Sequence, residues 1–161
     1  MGASALRGVA IENIDCLPSL EKIGANAFII SKIKSVVLPS TLSSLGQCCF
    51  QECRNLESVD LSKINGDIIS NVGYQFYRCS GLKNIKLPDS SNCVLPDNFL
   101  NSCDGLETIT IPNTVASLGE YCFNDCTSLK TVNFEKNESG ETSIKRIGNS
   151  CFLRSEERRV G

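Results

Sequence analysis

Short apolar alternations recur along the chain at a nearly constant interval. Val36-Val37-Leu38, Val59-Asp60-Leu61, Ile85-Lys86-Leu87, Ile109-Thr110-Ile111 and Val132-Asn133-Phe134 share the form Val/Ile-x-Leu/Ile/Phe. Their last residues are 23, 26, 24 and 23 positions apart. A further apolar residue stands three before each opening Val or Ile, at Ile33, Leu56, Leu82, Leu106 and Leu129. Leu6, Val9 and Ile11 fit the same template as a sixth, N-terminal copy. Alternation with period two is the pattern of a short strand with one buried face. A cycle of about 23 residues has room for one such strand and a compact helical or 3₁₀ return.

A second motif fills the space between these segments. Leu45-Gly46-Gln47-Cys48-Cys49-Phe50-Gln51-Glu52-Cys53 and Leu118-Gly119-Glu120-Tyr121-Cys122-Phe123-Asn124-Asp125-Cys126 are near twins. Ile23-Gly24-Ala25-Asn26-Ala27-Phe28 and Ile147-Gly148-Asn149-Ser150-Cys151-Phe152 open two more copies. The copy from Val72 to Cys79 is one residue shorter. That from Leu95 to Cys103 is the most divergent, with Leu100 in the phenylalanine position. No single unit can bury its own apolar face, so the units must stack, and five or six exceed the roughly three needed for a stable array. Successive strands are then expected about 4.8 Å apart. The variable gaps at 62–71 and 135–143 predict bulging loops, and the Leu/Ile-Gly glycines are expected to serve the turn.

Taken together, Leu-x-x-Val-x-Leu-Pro followed by Leu-x-x-Leu/Ile-Gly-x-x-Ala/Cys-Phe-x-x-Cys resembles the BspA-like branch of the leucine-rich repeats, over residues 6–153. The resemblance implies an α/β fold: a right-handed, curved leucine-rich-repeat solenoid with parallel strands on its concave face and short helical or 3₁₀ returns. It implies protein recognition by that face. It brings no catalytic residues and no cofactor.

The ten cysteines are about 6% of the chain, below the 8–10% that marks a small secreted disulfide scaffold. Cys53, Cys79, Cys103 and Cys126 share one repeat position; Cys49, Cys122 and Cys151 share another, where Ala27 stands in an earlier copy. Alternation with alanine marks a small buried side chain. Ladder neighbours lie within disulfide range, but parallel side chains suit the roughly 90° disulfide torsion poorly. Cys49-x3-Cys53 and Cys122-x3-Cys126 have the spacing of zinc knuckles, yet three repeats separate the pairs, too far for zinc–sulfur bonds of about 2.3 Å. The ladder cysteines are therefore expected to be reduced, buried and structural, which points to a reducing, cytoplasmic compartment. A cell-surface site is the alternative if the native N-terminus lies upstream.

Without histidine, neither a Ser-His-Asp nor a Cys-His nucleophile can be assembled. A net charge of −2 and 6% aromatic residues argue against nucleic-acid binding. No apolar run approaches the ~18–20 residues of a membrane-spanning helix, so no membrane insertion is expected. Asp89, Asp97, Asp104 and Asp125 follow no calcium-loop spacing, and Asn137-Glu138-Ser139 is an isolated glycosylation sequon. What remains is a non-enzymatic module that binds a protein partner, or a fragment of a cell-surface adhesin or antigen.

The outward strand positions form two columns, Val37, Asp60, Lys86, Thr110, Asn133 and Ser35, Ser58, Asn84, Thr108, Thr131. Their middle, Ser58, Asp60, Asn84, Lys86, Thr108 and Thr110, is the expected partner-binding surface, although it lacks the aromatic and arginine anchors of most interfaces. Tyr74, Tyr77 and Tyr121 are expected on the convex side. The last eight residues, Arg154-Ser155-Glu156-Glu157-Arg158-Arg159-Val160-Gly161, resemble the in-frame translation of a common sequencing adapter. The chain thus divides into a solenoid of about six repeats over 1–153, expected to be truncated, and a non-native tail over 154–161.

Overall fold

A computed structural model describes residues 2, 4–14, 17–70, 72–90 and 92–155. Within them the chain forms β1 (Lys22–Ile23), β2 (Ser35–Val37), β3 (Ser44–Leu45), β4 (Ser58–Asp60), α1 (Asp67–Ser70), β5 (Asn84–Lys86), β6 (Cys93–Leu95), β7 (Thr108–Ile111), β8 (Val115–Leu118), β9 (Thr131–Phe134) and β10 (Arg146–Ile147). All strand pairs are parallel, and each strand pairs with a later or earlier coil. The result is a parallel β-solenoid of stacked coils.

Most coils contribute two strands where the sequence predicts one. The expected segments carry β2, β4, β5, β7 and β9. The residues around the Leu/Ile of the second motif form another ladder, β1-β3 and β6-β8-β10. Between β3 and β6 lies α1, which packs against both. It joins the ladder through side chains: Ser70 Oγ accepts the Val94 N–H at 3.3 Å, and Ser90 Oγ accepts that of Gly66 at 2.7 Å. The segment expected to bulge at 62–71 thus folds inward, with Ile64 and Ile69 buried; its position 71 lies outside the described residues. The second insertion is exposed over 135–142, as expected.

The expected helical or 3₁₀ returns are turns, and α1 is the sole helix among the described residues. The backbone explains why. In the returns, N–H groups donate to carbonyls of the next coil: Phe28 to Cys49 (2.8 Å), Phe50 to Gln75 (2.9 Å), Phe76 to Phe99 (3.2 Å), Leu100 to Cys122 (2.9 Å) and Phe123 to Cys151 (2.8 Å). An N–H spent between coils cannot serve the i−4 carbonyl of a helix. The chain instead closes each return with tandem turns, such as Ala27 N–H to Gly24 O and Ser31 N–H to Phe28 O, both 3.0–3.3 Å. Each turn has its third residue at positive φ: Asn26 and Ile30, Cys48 and Glu52, Tyr74 and Arg78, Asn98 and Ser102, Tyr121 and Asp125, Ser150 and Arg154. The α/β expectation is corrected accordingly.

The glycines of the second motif answer to a different need from the one expected. Gly46, Gly119 and Gly148 are not among the positive-φ residues. A Cβ there would lie 2.3 Å from Ala25 N, 2.5 Å from Asp97 N and 2.5 Å from Glu120 N. Glycine stands at these positions because the neighbouring coil's backbone lies against them.

Stacking builds the core. Phe28, Phe50 and Phe76 lie face to face at 5.0 and 5.4 Å, and Phe123 stacks on Phe152 at 5.2 Å. Leu100 takes the intervening phenylalanine position, as its hydrogen bond to Cys122 shows. Phe99 moves into the small-residue position and meets Phe76 edge-on. Beside the rings runs a ladder of sulfur hydrogen bonds. Cys53, Cys79, Cys103 and Cys126 donate their thiols to the carbonyls of Phe28, Phe50, Phe76 and Leu100 at 3.1–3.2 Å. Ser31 occupies the same position in the first coil and contacts Cys53 Sγ at 3.3 Å. Ser155 continues the ladder with its hydroxyl on the Phe123 carbonyl at 2.6 Å. The repeat register therefore runs two residues into the last octapeptide, whose positions 156–161 lie outside the described residues, as does Cys16.

Burial raises the thiols of Cys53, Cys79, Cys103 and Cys126 above the ordinary cysteine range, the last to about 12, and raises that of Cys93, on β6 outside this ladder, to about 11. A buried phenylalanine replaced by alanine costs about 3–5 kcal/mol, and Phe50→Ala and Phe123→Ala are each expected to show that loss in urea denaturation. Ile30 is β-branched at φ 61, so Ile30→Asn is expected to gain about 1 kcal/mol in the same assay. Because folding raises the thiol pKa values, the stability linked to them is whole below about pH 8.5. Denaturation midpoints should hold up to that pH and fall as it rises towards the values of Cys93 and Cys126, with Cys126→Ser reducing the fall.

Candidate functional site

The outward side chains of β2, β4 and β5 stand in register: Ser35 with Ser58 and Asn84, and Val37 with Asp60 and Lys86. On β7 and β9, Thr108 faces Thr131 and Thr110 faces Asn133. The two columns read from the sequence therefore exist on one strand face. They are polar apart from Val37, which is 41% exposed.

Asp60 is the most constrained member of the face. Its Oδ1 accepts hydrogen bonds from Ser62 Oγ at 2.6 Å and Ser62 N–H at 3.0 Å. Its Oδ2 lies 3.3 Å from Lys86 Nζ on the next strand. Burial works against the carboxylate, but the Ser62 bonds and then Lys86 outweigh it and hold the carboxyl below its ordinary value. The Lys86 ammonium end is open to solvent, so this pair contributes at most about 1 kcal/mol. Its effect is to hold two charged groups in fixed places on the face.

The face is not one continuous sheet. β2-β4-β5 and β7-β9 are separate, so β5 and β7 are both edge strands. The expectation that all five strands share a sheet fails at this step. The coils remain close just before it, since a Cβ on Gly105 would lie 2.9 Å from the carbonyl oxygens of both Leu82 and Ser80. Opposite it, Phe76 and Arg78 still donate to Phe99 and Asn101. The parting is local to the strand face.

It leaves an open groove of about 580 Å³, lined by Asn84, Ile85, Lys86, Leu87, Thr108, Thr110, Pro112 and Glu135. Four of the six residues read as partner-binding, Asn84, Lys86, Thr108 and Thr110, surround this groove. Ser58 and Asp60 lie one strand away. Sequence reading missed Ile85, Pro112 and Glu135. Ile85 was placed inside by its alternation, and only the parting of the strands leaves it half-buried. Its counterparts Val36, Val59, Ile109 and Val132 are 1%, 2%, 2% and 6% exposed.

The tyrosines stand in the returns, away from this face. Tyr74 and Tyr77 pack edge to face at 5.5 Å, with the Arg78 guanidinium 5.0 Å from the Tyr77 ring centre. Among the described residues no group of three or more histidine, cysteine or acidic side chains is placed to hold a metal ion, and no helix is long and apolar enough to cross a membrane.

The sequence of the chain matches the family model described as "BspA type Leucine rich repeat region (6 copies)" over residues 1–72 and 67–159. No curated protein matches it. Among solved structures it resembles a leucine-rich repeat protein of T. pallidum at 25% identity, with a TM-score of 0.59, covering 78% of this chain and 56% of that one. A leucine-rich repeat protein from Bacteroides ovatus matches at 19% identity and a TM-score of 0.56, over 92% of this chain and 53% of that one. A leucine-rich cell surface protein from Faecalibacterium prausnitzii matches at 24% identity and 0.54, over 85% and 44%. The chain spans about half the length of these structures. With that model matched over residues 1–72 and 67–159, the chain belongs to the BspA-type leucine-rich repeat family.

Proposed function

We propose that the chain is a non-enzymatic protein-interaction module whose strand face, centred on Ser58, Asp60, Asn84, Lys86, Thr108 and Thr110, receives the partner as the concave surface of the solenoid. The observation that carries this reading is the register of Asp60 and Lys86 among outward serine, threonine and asparagine side chains. A stacked backbone presents these groups at fixed spacing, and a rigid surface loses little entropy on binding. The returns on the far side are turns, better suited to variation than to display. Thiols used as hydrogen-bond donors to the backbone favour a reducing, cytoplasmic setting. The second reading, a fragment of a cell-surface adhesin or antigen, draws on the F. prausnitzii relative described as a cell surface protein.

The test is a charge swap read by quantitative capture of partners from native lysate. Asp60→Lys and Lys86→Glu are each expected to reduce capture several-fold, whereas Tyr74→Ala and Tyr121→Ala leave it unchanged. The double swap restores the ion pair in reverse. Capture that stays low in the double variant assigns the loss to the partner contact. Loss with the tyrosine variants alone would move the interface to the returns.

A further inference from the structure

We propose that the opening between β5 and β7 is a socket for one aliphatic side chain on an extended segment of a partner protein, with a lysine or arginine of that segment beside Glu135. This rests on the reading that the strand face is the interface. It adds the site on that face, the chemistry of the anchor and the side that supplies it.

The first observation is the floor. Ile85 belongs to the inward row of the strands, yet it is the one member of that row left half-buried. The groove above it is lined at its base by Ile85, Leu87 and Pro112 and by no aromatic or arginine side chain. Apolar surface at the bottom of a polar-rimmed cleft is what a buried anchor covers at the centre of an interface. This face holds no anchor of its own. A recess in place of a protrusion means that the anchor comes from the partner, and the aliphatic lining sets its chemistry.

A second observation concerns the rim. Both strands bordering the opening are sheet edges. Edge strands present backbone donors and acceptors without ladder partners. The Asn84 amide and the Thr108 and Thr110 hydroxyls stand on the same walls and can each donate and accept. An extended chain carries alternating N–H and C=O groups at the matching repeat, which is why extended peptides bind at such edges.

Charge selects further. Lys86 is engaged by Asp60, so its wall is close to neutral. On the opposite wall Glu135 lies outside the ion pairs found among the described residues. A cationic side chain in the bound segment would answer it.

The probe is a phage-displayed library of random linear dodecapeptides, panned on the immobilised full chain. Enriched peptides should share one aliphatic residue with a lysine or arginine within a few positions. Synthetic versions should lose at least tenfold in affinity on Thr108→Tyr and on Thr110→Tyr, two exposed positions from which a ring covers the opening. They should lose several-fold on Glu135→Lys and stay within about twofold on Arg78→Ala, a change in the returns away from this face. Thermal unfolding midpoints within a few degrees of the parent keep the tyrosine variants interpretable, and two separate positions guard against failure of one. No enrichment, a consensus without an aliphatic residue, or peptides indifferent to both tyrosine variants would each overturn the proposal. Peptides lost on Asp60→Lys but kept by both tyrosine variants would overturn the socket and leave the strand face standing as the interface.

Discussion

Everything in this molecule depends on the hydrogen bond between coils. Each return gives its N–H groups to the coil that follows, and that one commitment fixes the rest. It excludes helices from the returns, because the same donors cannot serve two acceptors. It forces pairs of residues into positive φ to turn the chain. It brings neighbouring backbones so near that Gly46, Gly119 and Gly148 have no room for a Cβ. The turn N–H groups of Ser31, Cys53 and Cys79 occupy one lone pair on the Phe28, Phe50 and Phe76 carbonyls, and the ladder cysteines of the next coil fill the other with their thiols. Ser31 stands at the same position in the first coil, so the position takes a small polar side chain rather than sulfur alone.

How far this was legible in the sequence follows from the same bond. The five Val/Ile-x-Leu segments were readable because burial on one face imposes period two, whatever lies beside the strand. The returns were misread for a physical reason. Tandem turns repeat every four residues, as the positive-φ pairs at 48 and 52 or 121 and 125 show. Cys49 and Cys53, or Cys122 and Cys126, therefore fall four apart, the spacing that also marks one face of a helix. The second ladder escaped notice because strands such as Lys22–Ile23 and Ser44–Leu45 are two residues long and carry no alternation. The columns of the candidate surface were legible, since they need only the strand positions. The parting between β5 and β7 was not: Ile85-Lys86-Leu87 and Ile109-Thr110-Ile111 carry the same pattern as strands that do pair.

A second regularity explains how the coils find their register. The residues before β2, β4, β5, β7 and β9 read Lys34, Glu57, Lys83, Glu107, Lys130, and Glu12 holds the equivalent place in the N-terminal coil, an alternation of charge from coil to coil. Glu12 pairs with Lys34 at 3.0 Å, Glu57 with Lys83 at 3.1 Å and Glu107 with Lys130 at 3.1 Å. All six groups are exposed, so each pair adds little to stability. Their use is negative: pairing the wrong coils, offset by one, sets like charge against like, which costs in a stacked ladder as it does across strands. The twins around Phe50 and Phe123, three coils apart, present nearly the same core surface, yet Lys34 precedes one and Glu107 the other.

The pairing of those charges also frames the groove. Lys83 turns back to Glu57 and Glu107 turns forward to Lys130, so ion pairs hold each flank of the parting within its own sheet. The returns opposite stay hydrogen-bonded through the same coils. A solenoid opened on one face and closed on the other keeps its core register while exposing Ile85, a residue that continuous pairing would bury. A local break on an otherwise rigid scaffold gives a recess without the entropy of a mobile loop, and recesses of this kind favour binding because their shape is set before the partner arrives. Regular repetition builds the scaffold, and the local departure from it between β5 and β7 supplies a recess with Ile85 in its lining.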